Sequence, residues 1–311
     1  MPDNNYPIVT IAENLNVTNK TIGAAFKDKD EKPIRKMLEG ILIQNPTWVD
    51  INLGPARKNG AELMPWVVNI VQSMTDLPVV LDTTNIEAIE AGLKTVKRPA
   101  MINSIMCRPE RYEVLLPLCK QYDAFWVGLM WGPNGMARDA NERAELTTEL
   151  LMHAIGLGID AEQAFIDPII TPVNIQQDQL MNNLEFIEML PDIVEAIQPG
   201  HRAKSTNGVS NVSNGNPEHL RPILNKTYLC MLVKKGMYSS IVDAYDPTTP
   251  SMFDLCQGRA QWWADLVFAV MDGKYDGSPD YSGLKKEEID VIKTAKVVLG
   301  HSLFSASWLD I

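Results

Sequence analysis

Short apolar runs rich in β-branched residues alternate with longer stretches of helical periodicity along most of the chain. A period of two residues or a short apolar run predicts a strand, and apolar residues spaced three to four apart predict a helix. The strand candidates are 7–14, 47–54, 78–85, 99–106, 124–130, 164–170, 203–211 and 238–246. The helical patterns between them include 31–45, 61–74, 86–96, 110–122, 142–158, 183–198 and 220–236.

A strand and helix alternation repeated about eight times in about 250 residues predicts an α/β fold, the parallel (β/α)8 or TIM barrel. A doubly wound sheet is the alternative. It is disfavoured because the glycines of 156–160 are not followed by a third and fall at a helix end, which leaves no dinucleotide-binding fingerprint. We expect the barrel to span 1–272, with its last helix near 252–273. Residues 273–311 are predicted to form a C-terminal linker and a helix packed on the barrel.

Composition and charge narrow the class of protein. The 311 residues are 45% hydrophobic, enough to bury a large core. Four widely spaced cysteines form no C-x-x-C pair and indicate reduced core thiols in a cytoplasmic protein. The start has no basic segment followed by an apolar run, and no stretch reaches the roughly 20 apolar residues of a membrane span. A formal charge of -11 argues against nucleic acid as a partner.

Polar side chains close most of the predicted strands. In a (β/α) barrel the carboxyl ends of the strands carry the chemistry, so these residues are the candidates for a site. Any one of them could be a helix cap or a loop anchor, but unpaired carboxylates in apolar strands cost several kcal/mol, which makes a chance accumulation improbable. The residues are Glu13, Asn14, Asn16, Asp50, Asn52, Asp82, Asn85, Asn103, Ser104, Asp167, Asn207, Ser210, Asn211, Asp243 and Asp246.

The composition of this set indicates the kind of ligand. Residues 205–215 alone hold three asparagines, three serines and two glycines. Apart from Arg57, Arg108 and Arg138 in the loops, no basic residue lies at these strand ends, so the mouth is not suited to a phosphate in the usual manner. Carboxylates and amides suit a planar heterocycle that presents an N–H beside an amine, as pterins and guanines do. A divalent metal is the alternative, with oxygen ligands from Glu13, Asp50, Asp82, Asp167 and Asp243.

Two other kinds of site find no support in the sequence. The four histidines, His153, His201, His219 and His301, form no cluster with cysteines or carboxylates that would indicate zinc. A G-x-S-x-G motif is also absent from the sequence, which disfavours hydrolysis by a nucleophilic serine.

The segments VVLDTTN, AMINS, FIDPII, GVSNVS and VDAYD occur in this order between residues 79 and 246. In order and spacing they resemble the pterin-binding methyltransferase family, in particular the methyltetrahydrofolate:corrinoid protein methyltransferases. The resemblance implies a (β/α) barrel that binds tetrahydrofolate or 5-methyltetrahydrofolate as a substrate. It also implies methyl transfer to or from the cobalamin of a partner corrinoid protein, a homodimer, and no intrinsic metal. The first strand reads AENLN and lacks the arginine that is common in the family.

The same resemblance assigns roles to residues. Asp82, Asn103 and Asp167 are expected to hold the pterin ring, with Asp167 taking two donors on its amine edge. Asn211 corresponds to an asparagine near N5, the atom that carries the methyl group, and is the catalytic candidate. The other substrate-binding candidates are Gly208 and Ser210 on the same segment, Arg221 near the folate tail, and the strand-end residues Glu13, Asn52 and Asp243.

Two rival functions remain open at this point. Dihydropteroate synthase is a pterin barrel of the same shape, but its chemistry displaces diphosphate and typically uses a Ser-Arg pair where this chain has Ser210 and Asn211. A non-catalytic folate-binding or corrinoid-docking subunit is the second rival. Retention of Asn211 together with both aspartates favours methyl transfer over either.

Overall fold

The computed structural model describes residues 8–56, 58–246, 249–259, 261–277 and 279–310. The strands within them are β1 (Val9–Asn16), β2 (Trp48–Gly54), β3 (Val79–Thr83), β4 (Met101–Met106), β5 (Phe125–Leu129), β6 (Trp131–Gly132), β7 (Gly135–Met136), β8 (Ala164–Asp167), β9 (Lys204–Ser205) and β10 (Ser239–Val242). The helices are α1 (Lys20–Asp28), α2 (Glu31–Ile43), α3 (Gly60–Met74), α4 (Ile86–Thr95), α5 (Pro109–Tyr122), α6 (Ala140–Gly156), α7 (Asp178–Ile197), α8 (Arg221–Lys234), α9 (Thr249–Cys256), α10 (Trp262–Met271) and α11 (Lys286–Val298). Short 3-10 helices occupy Ala161–Gln163, Val209–Ser213 and Glu218–Leu220.

Parallel pairing joins the long strands into one sheet in the order β10-β1-β2-β3-β4-β5-β8-β9. The two edges of this sheet meet beyond the end of β9, where Gly208 forms a parallel bridge with Ile241. The amide of Ile241 also donates to the carbonyl of Asn207 at 2.8 Å. The sheet therefore closes into a barrel surrounded by helices, which confirms the predicted fold class.

Two apolar layers hold the barrel together. The larger one lies between the strands and the surrounding helices and contains most of the buried aliphatic side chains. The smaller one fills the barrel interior and consists of Ile11, Trp48, Val80, Met101, Val127, Phe165 and Ile241. Because side chains alternate along a strand, inward positions that follow this inner layer by two residues point into the same interior, closer to the carboxyl ends.

The predicted strand 203–211 is wrong beyond Ser205. Residues 209–213 instead form a 3-10 helix, in which the amide of Asn211 donates to the carbonyl of Gly208 at 3.1 Å. The hydroxyl of Ser213 donates to the carbonyl of Ser210 at 3.1 Å. Short polar side chains that bond to nearby backbone favour such turns over a sheet ladder, and this segment is dense in them.

Other boundaries also differ from expectation. The strand predicted at 164–170 ends at Asp167, and the last barrel helix is split into α9 and α10. Helix α1 was not predicted; Asn19 caps it by accepting from the amides of Thr21 and Ile22. The antiparallel β6–β7 hairpin was not predicted either. The start of the predicted barrel, residues 1–7, lies outside the described residues.

Beyond the barrel, α11 packs against α8 and α10. Its buried face includes Val291, Ile292, Ala295 and Val298. The indole Nε1 of Trp308 donates to the hydroxyl of Thr294 at 3.0 Å, which ties the end of the described chain back to this helix. No helix in the described ranges is long and apolar enough to cross a membrane.

Candidate functional site

A polar layer lies directly above the apolar interior of the barrel. On six strands, an apolar inward residue is followed two positions later by a carboxylate or an amide. The pairs are Ile11 and Glu13, Trp48 and Asp50, Val80 and Asp82, Met101 and Asn103, Phe165 and Asp167, and Ile241 and Asp243. In the register of the sheet, Asp82 pairs with Asn103 on β4 and with Asn52 on β2, whereas Asp50 pairs with Val80 of the apolar layer.

Three carboxyl groups crowd one side of this layer. Asp50 is 1% exposed, and its Oδ1 has no hydrogen-bond partner among the described residues. Burial raises the pKa of Asp50 well above its usual value, and the charges of Asp82 and Glu13 raise it further. Burial also raises the pKa of Asp82 to about 7, although Asn52 Nδ2 donates a short hydrogen bond to its carboxylate. Burial and mutual repulsion thus favour the protonated forms of Glu13, Asp50 and Asp82 by raising the pKa of each.

Asp167 stands apart from this trio, at the end of β8. Its Oδ1 accepts from the backbone amide of Ile169 at 2.8 Å, and burial raises its pKa to about 7. Arg143, which is fully buried, donates from Nε to the carbonyl of Pro168 at 2.8 Å, and its charge partly opposes the rise in the pKa of Asp167. Near neutral pH this carboxyl can either accept two donors or give up a proton.

The turn that closes the barrel carries the amide and hydroxyl groups. Ser210 donates from its hydroxyl to Glu13 Oε1 at 2.9 Å, which joins the turn to β1. Asn211 follows it and is exposed. A Cβ placed on Gly208 would come within 3.3 Å of Asn211 Nδ2, so glycine leaves room for the amide of Asn211 beside the turn. The turn therefore carries an exposed neutral amide close to the bridge that closes the barrel.

The remaining candidates lie on either side of this turn. Arg221 begins α8, and its Nε donates to the hydroxyl of Ser213 at 3.3 Å. The pKa of Glu13 is raised, mainly by burial. The negative charge of Asp243 raises this pKa further, and the positive charge of Arg221 lowers it. Asp243 itself accepts from Asn14 Nδ2 at 2.5 Å.

Some strand-end residues have local structural roles instead. Asn85 caps α4 by accepting from the amide of Ala88 at 2.9 Å, and Asn16 accepts from the amide of Thr18 at 2.9 Å. Asp246 accepts from Asn225 Nδ2 at 3.0 Å. The contacts of Asn85, Asn16 and Asp246 therefore support roles as helix caps and loop anchors.

Arg143 is a residue that the sequence interpretation missed. It lies in the helical pattern 142–158 at a position that α6 buries, in line with Thr147, Leu150 and Ala154. An arginine on an otherwise buried helical face was the available signal, because a buried charge needs specific partners. Its Nη2 donates to Gln179 Oε1 at 3.0 Å, while its Nη1 has no partner in the described part of the chain.

The arrangement suits a ligand with several N–H donors better than an anion. It combines buried carboxyls whose pKa is raised with side-chain amides, and the one arginine among the candidates is at the rim. The five carboxylates considered as metal ligands do not form a metal-binding group, since the described residues contain no such group of three or more His, Cys, Asp or Glu side chains.

The amino-acid sequence is similar to a known protein family and to several characterised enzymes. The sequence model of the family described as "Pterin binding enzyme" matches residues 15–243. A methylcorrinoid:tetrahydrofolate methyltransferase of Eubacterium limosum is 26% identical over 247 residues, which are 79% of this chain and 87% of that protein. The methionine synthase of Mycobacterium leprae is 26% identical over 204 residues, 63% of this chain but only 17% of the relative.

Solved structures with the same architecture include two dihydropteroate synthases. The enzyme of Xanthomonas albilineans, solved with 4-aminobenzoic acid, has a TM-score of 0.60 and 16% identity and covers 82% of this chain and 93% of its own. The enzyme of Coxiella burnetii, in complex with pteroic acid, has a TM-score of 0.59 and 14% identity, over 81% and 92% of the two chains. At these identities the likeness establishes the fold.

Proposed function

The chain belongs to the pterin binding enzyme family, and from that premise we propose that it moves a methyl group between N5 of tetrahydrofolate and the cobalt of a corrinoid carried by a partner protein. The observation that carries the proposal is the pairing of a buried acceptor layer with an exposed neutral amide, Asn211, on the closing turn. The methyltransferase of Eubacterium limosum, related over most of both chains, supports this reaction class.

The acceptor layer would hold the pterin ring by its donors. Asp167 would take the ring N–H and the amine together, since an ionised carboxylate accepts two parallel hydrogen bonds. Asp82 and Asn103, adjacent in the sheet register, would bind the remaining ring nitrogens. The fixed backbone amide of Ile169 orients Asp167 for this role, so the ring enters a site that is already ordered.

The amide of Asn211 would act at the reacting atom. When the methyl group leaves, the bond between N5 and carbon breaks with its electron pair kept by nitrogen, and an electron pair of cobalt forms the new bond to carbon. Positive character on N5 assists this departure, and an amide can accept from a protonated nitrogen or donate to a lone pair without a fixed charge. In the opposite direction N5 attacks the methyl carbon, and the same amide orients it.

The direct test is methyl exchange. Protein incubated with methylcobalamin and tetrahydrofolate is expected to yield 5-methyltetrahydrofolate and cob(I)alamin, followed by absorbance and by chromatography. Asn211→Ala should lower the single-turnover rate by about 10²-fold while changing tetrahydrofolate affinity far less, because the interaction strengthens as charge develops.

Asn214→Ala is the matched control for that variant, since Asn214 ends the same turn and is exposed. It should retain the wild-type rate. A rate for Asn211→Ala equal to that of wild type at saturating folate would contradict the assignment of the amide. Product formed from 4-aminobenzoate and a pterin diphosphate, without methyl exchange, would favour the dihydropteroate synthase reaction instead.

Two features of assembly complete the proposal. We propose that residues 1–272 form the pterin-binding barrel, that 273–311 are an addition to it, and that the protein works as a homodimer. On α10, Trp262 is 53% exposed whereas Trp263 is 2% exposed, so only part of this aromatic cluster is available to a second copy. Phe268 is half-buried beneath Lys234 Nζ, 5.3 Å from the centre of the ring.

A further inference from the structure

The loop between β8 and α7, residues 168–177, begins directly after Asp167. Its first residues are held by side chains of the surrounding helices: Arg143 Nε donates to the carbonyl of Pro168, and Asn183 Nδ2 donates to the carbonyl of Ile169 at 3.0 Å. Ile169 has a φ of 68°, a conformation that β-branched residues rarely adopt. The start of the loop is therefore fixed by side chains of α6 and α7.

At the far end of this loop, the side chain of Gln177 is hydrogen-bonded to the C-terminal segment. Gln177 Nε2 donates to the carbonyl of Val297 at 2.5 Å and to that of Ser302 at 2.6 Å. Gln177 Oε1 accepts from the amide of Phe304 at 3.1 Å. A carboxamide offers two N–H donors and one oxygen, and all three are used here. Val297 lies in the last turn of α11. Its carbonyl also accepts from the backbone amide of Gly300 at 3.0 Å, so Gln177 is an additional donor to this oxygen.

The middle of the loop contacts the turn that carries Asn211. The amide of Val173 donates to the carbonyl of Val212 at 2.9 Å, and both side chains are buried. The side chain of Asn174 in the loop also lies close to the residue that follows this turn, since its Nδ2 would be 3.5 Å from a Cβ placed on Gly215. Loop 168–177 thus links the strand end that bears Asp167 to the turn that bears Asn211.

We propose that Gln177 is a positioning residue, through which the C-terminal segment 297–304 holds loop 168–177 so that Asp167 and Asn211 face one bound pterin. This inference rests on the proposed function for the identity of the substrate. It makes the addition at 273–311 part of the substrate site of this chain, rather than a separate cover on the barrel surface.

The geometry separates this role from a purely structural one. Helix α11 has its own packing against α8 and α10, and Trp308 bonds to Thr294 within the segment. The segment is therefore expected to stay docked without Gln177. Loss of the carboxamide should loosen the loop and the turn, while the helices beneath keep their packing.

The test compares Gln177→Met with Gln176→Met in the full-length protein. Gln176 is the exposed neighbour, and it takes part in the loop through its backbone carbonyl, which accepts from Thr171. In Gln177→Met, hydrogen exchange should be faster in 170–177 and 207–214 and unchanged in α11. Tetrahydrofolate affinity and the methyl-transfer rate should fall roughly 2- to 30-fold, the range expected for a residue that acts through another. Gln176→Met should match wild type in every readout.

Three results would overturn the inference. The first is wild-type exchange and affinity in Gln177→Met. The second is faster exchange confined to 297–304, with the turn at 207–214 unaffected. The third is faster exchange throughout α11 with a lower melting temperature, which would mean that Gln177 only docks the helix. If the wild-type protein showed no methyl transfer, only the proposed function would be refuted. The hydrogen-exchange measurements on loop 168–177 and turn 207–214 do not depend on that activity.

Discussion

Two layers of the barrel interior are built by the same strands, two residues apart, and they differ in almost every physical property. The lower layer is apolar and filled by aromatic and aliphatic side chains, and Phe125 packs against it in an edge-to-face contact with Phe165 at 6.1 Å. The upper layer contains carboxyls whose pKa is raised by burial, such as Asp50 and Asp82. One strand thus contributes to a stabilising core at one position and to an energetically costly site at the next inward position.

The contrast between the apolar and the polar layer shows how the fold tolerates buried carboxyl groups. Apolar burial and close packing stabilise the folded state, whereas burial of an ionisable group without a full partner destabilises it. The lower layer shields the floor of the site, and the upper layer remains short of partners, with Asp50 Oδ1 unpaired in the described residues. We expect substitutions in the two layers to separate stability from ligand binding.

The largest effect is predicted in the lower layer. Phe165→Ala should lower the free energy of unfolding by about 3–5 kcal/mol, because it leaves a cavity in the centre of the barrel. Denaturant titration followed by circular dichroism measures it. Phe165→Leu retains most of the volume and serves as the folded control, with tetrahydrofolate affinity close to wild type. A similar loss of affinity in Phe165→Leu and in a variant of Asp167 would contradict the separation of the layers.

A smaller effect, on binding, is predicted two residues further along the same strand. Asp167→Asn should weaken tetrahydrofolate binding roughly ten- to a hundredfold, because one oxygen that accepts from the pterin is replaced by a donor. Asn can retain the bond from the amide of Ile169, so the loop should stay in place. Isothermal titration calorimetry on both proteins measures the change. Unchanged affinity would remove Asp167 from the pterin edge.

The sequence predicts the framework of both layers well, for reasons visible in particular strands. Period-two alternation and β-branched composition located seven of the eight barrel strands to within a few residues, and the polar residue that closes each apolar run marked the upper layer. Asp82 and Asn103, both candidates from the sequence, lie side by side in the register of β3 and β4.

The rest depends on contacts between distant segments, which a local pattern does not contain. Residues 209–211 of the predicted strand 203–211 belong instead to the turn Val209–Ser213, whose conformation is set by hydrogen bonds within the turn. Gln177 lies 120 residues from Val297, and Arg143 lies 25 residues from Pro168. Local periodicity reports which face of an element is buried, and it does not report which backbone groups a buried polar side chain meets.

The upper layer should also make stability depend on pH in a direction opposite to that of most acidic residues. The pKa of Asp167 is about 7 in the folded protein and close to its ordinary value, about 4, in the unfolded chain. Between these values the folded state binds more protons than the unfolded state, so the free energy of unfolding is larger at low pH and decreases as the pH rises towards 7. Asp82, with a pKa also raised to about 7, acts in the same direction.

The smallest predicted effect isolates the share of Asp167 in this dependence. Between pH 6 and pH 8 wild type should lose about 1 kcal/mol more stability than Asp167→Asn, because the asparagine cannot ionise and all other groups are common to both proteins. Urea titrations of the ligand-free proteins at several pH values give the difference. Parallel pH profiles would mean that Asp167 is ionised throughout, with a partner that offsets its burial. A steeper loss in wild type would show that the site carries an energetic cost at neutral pH that the apolar layer beneath it must offset.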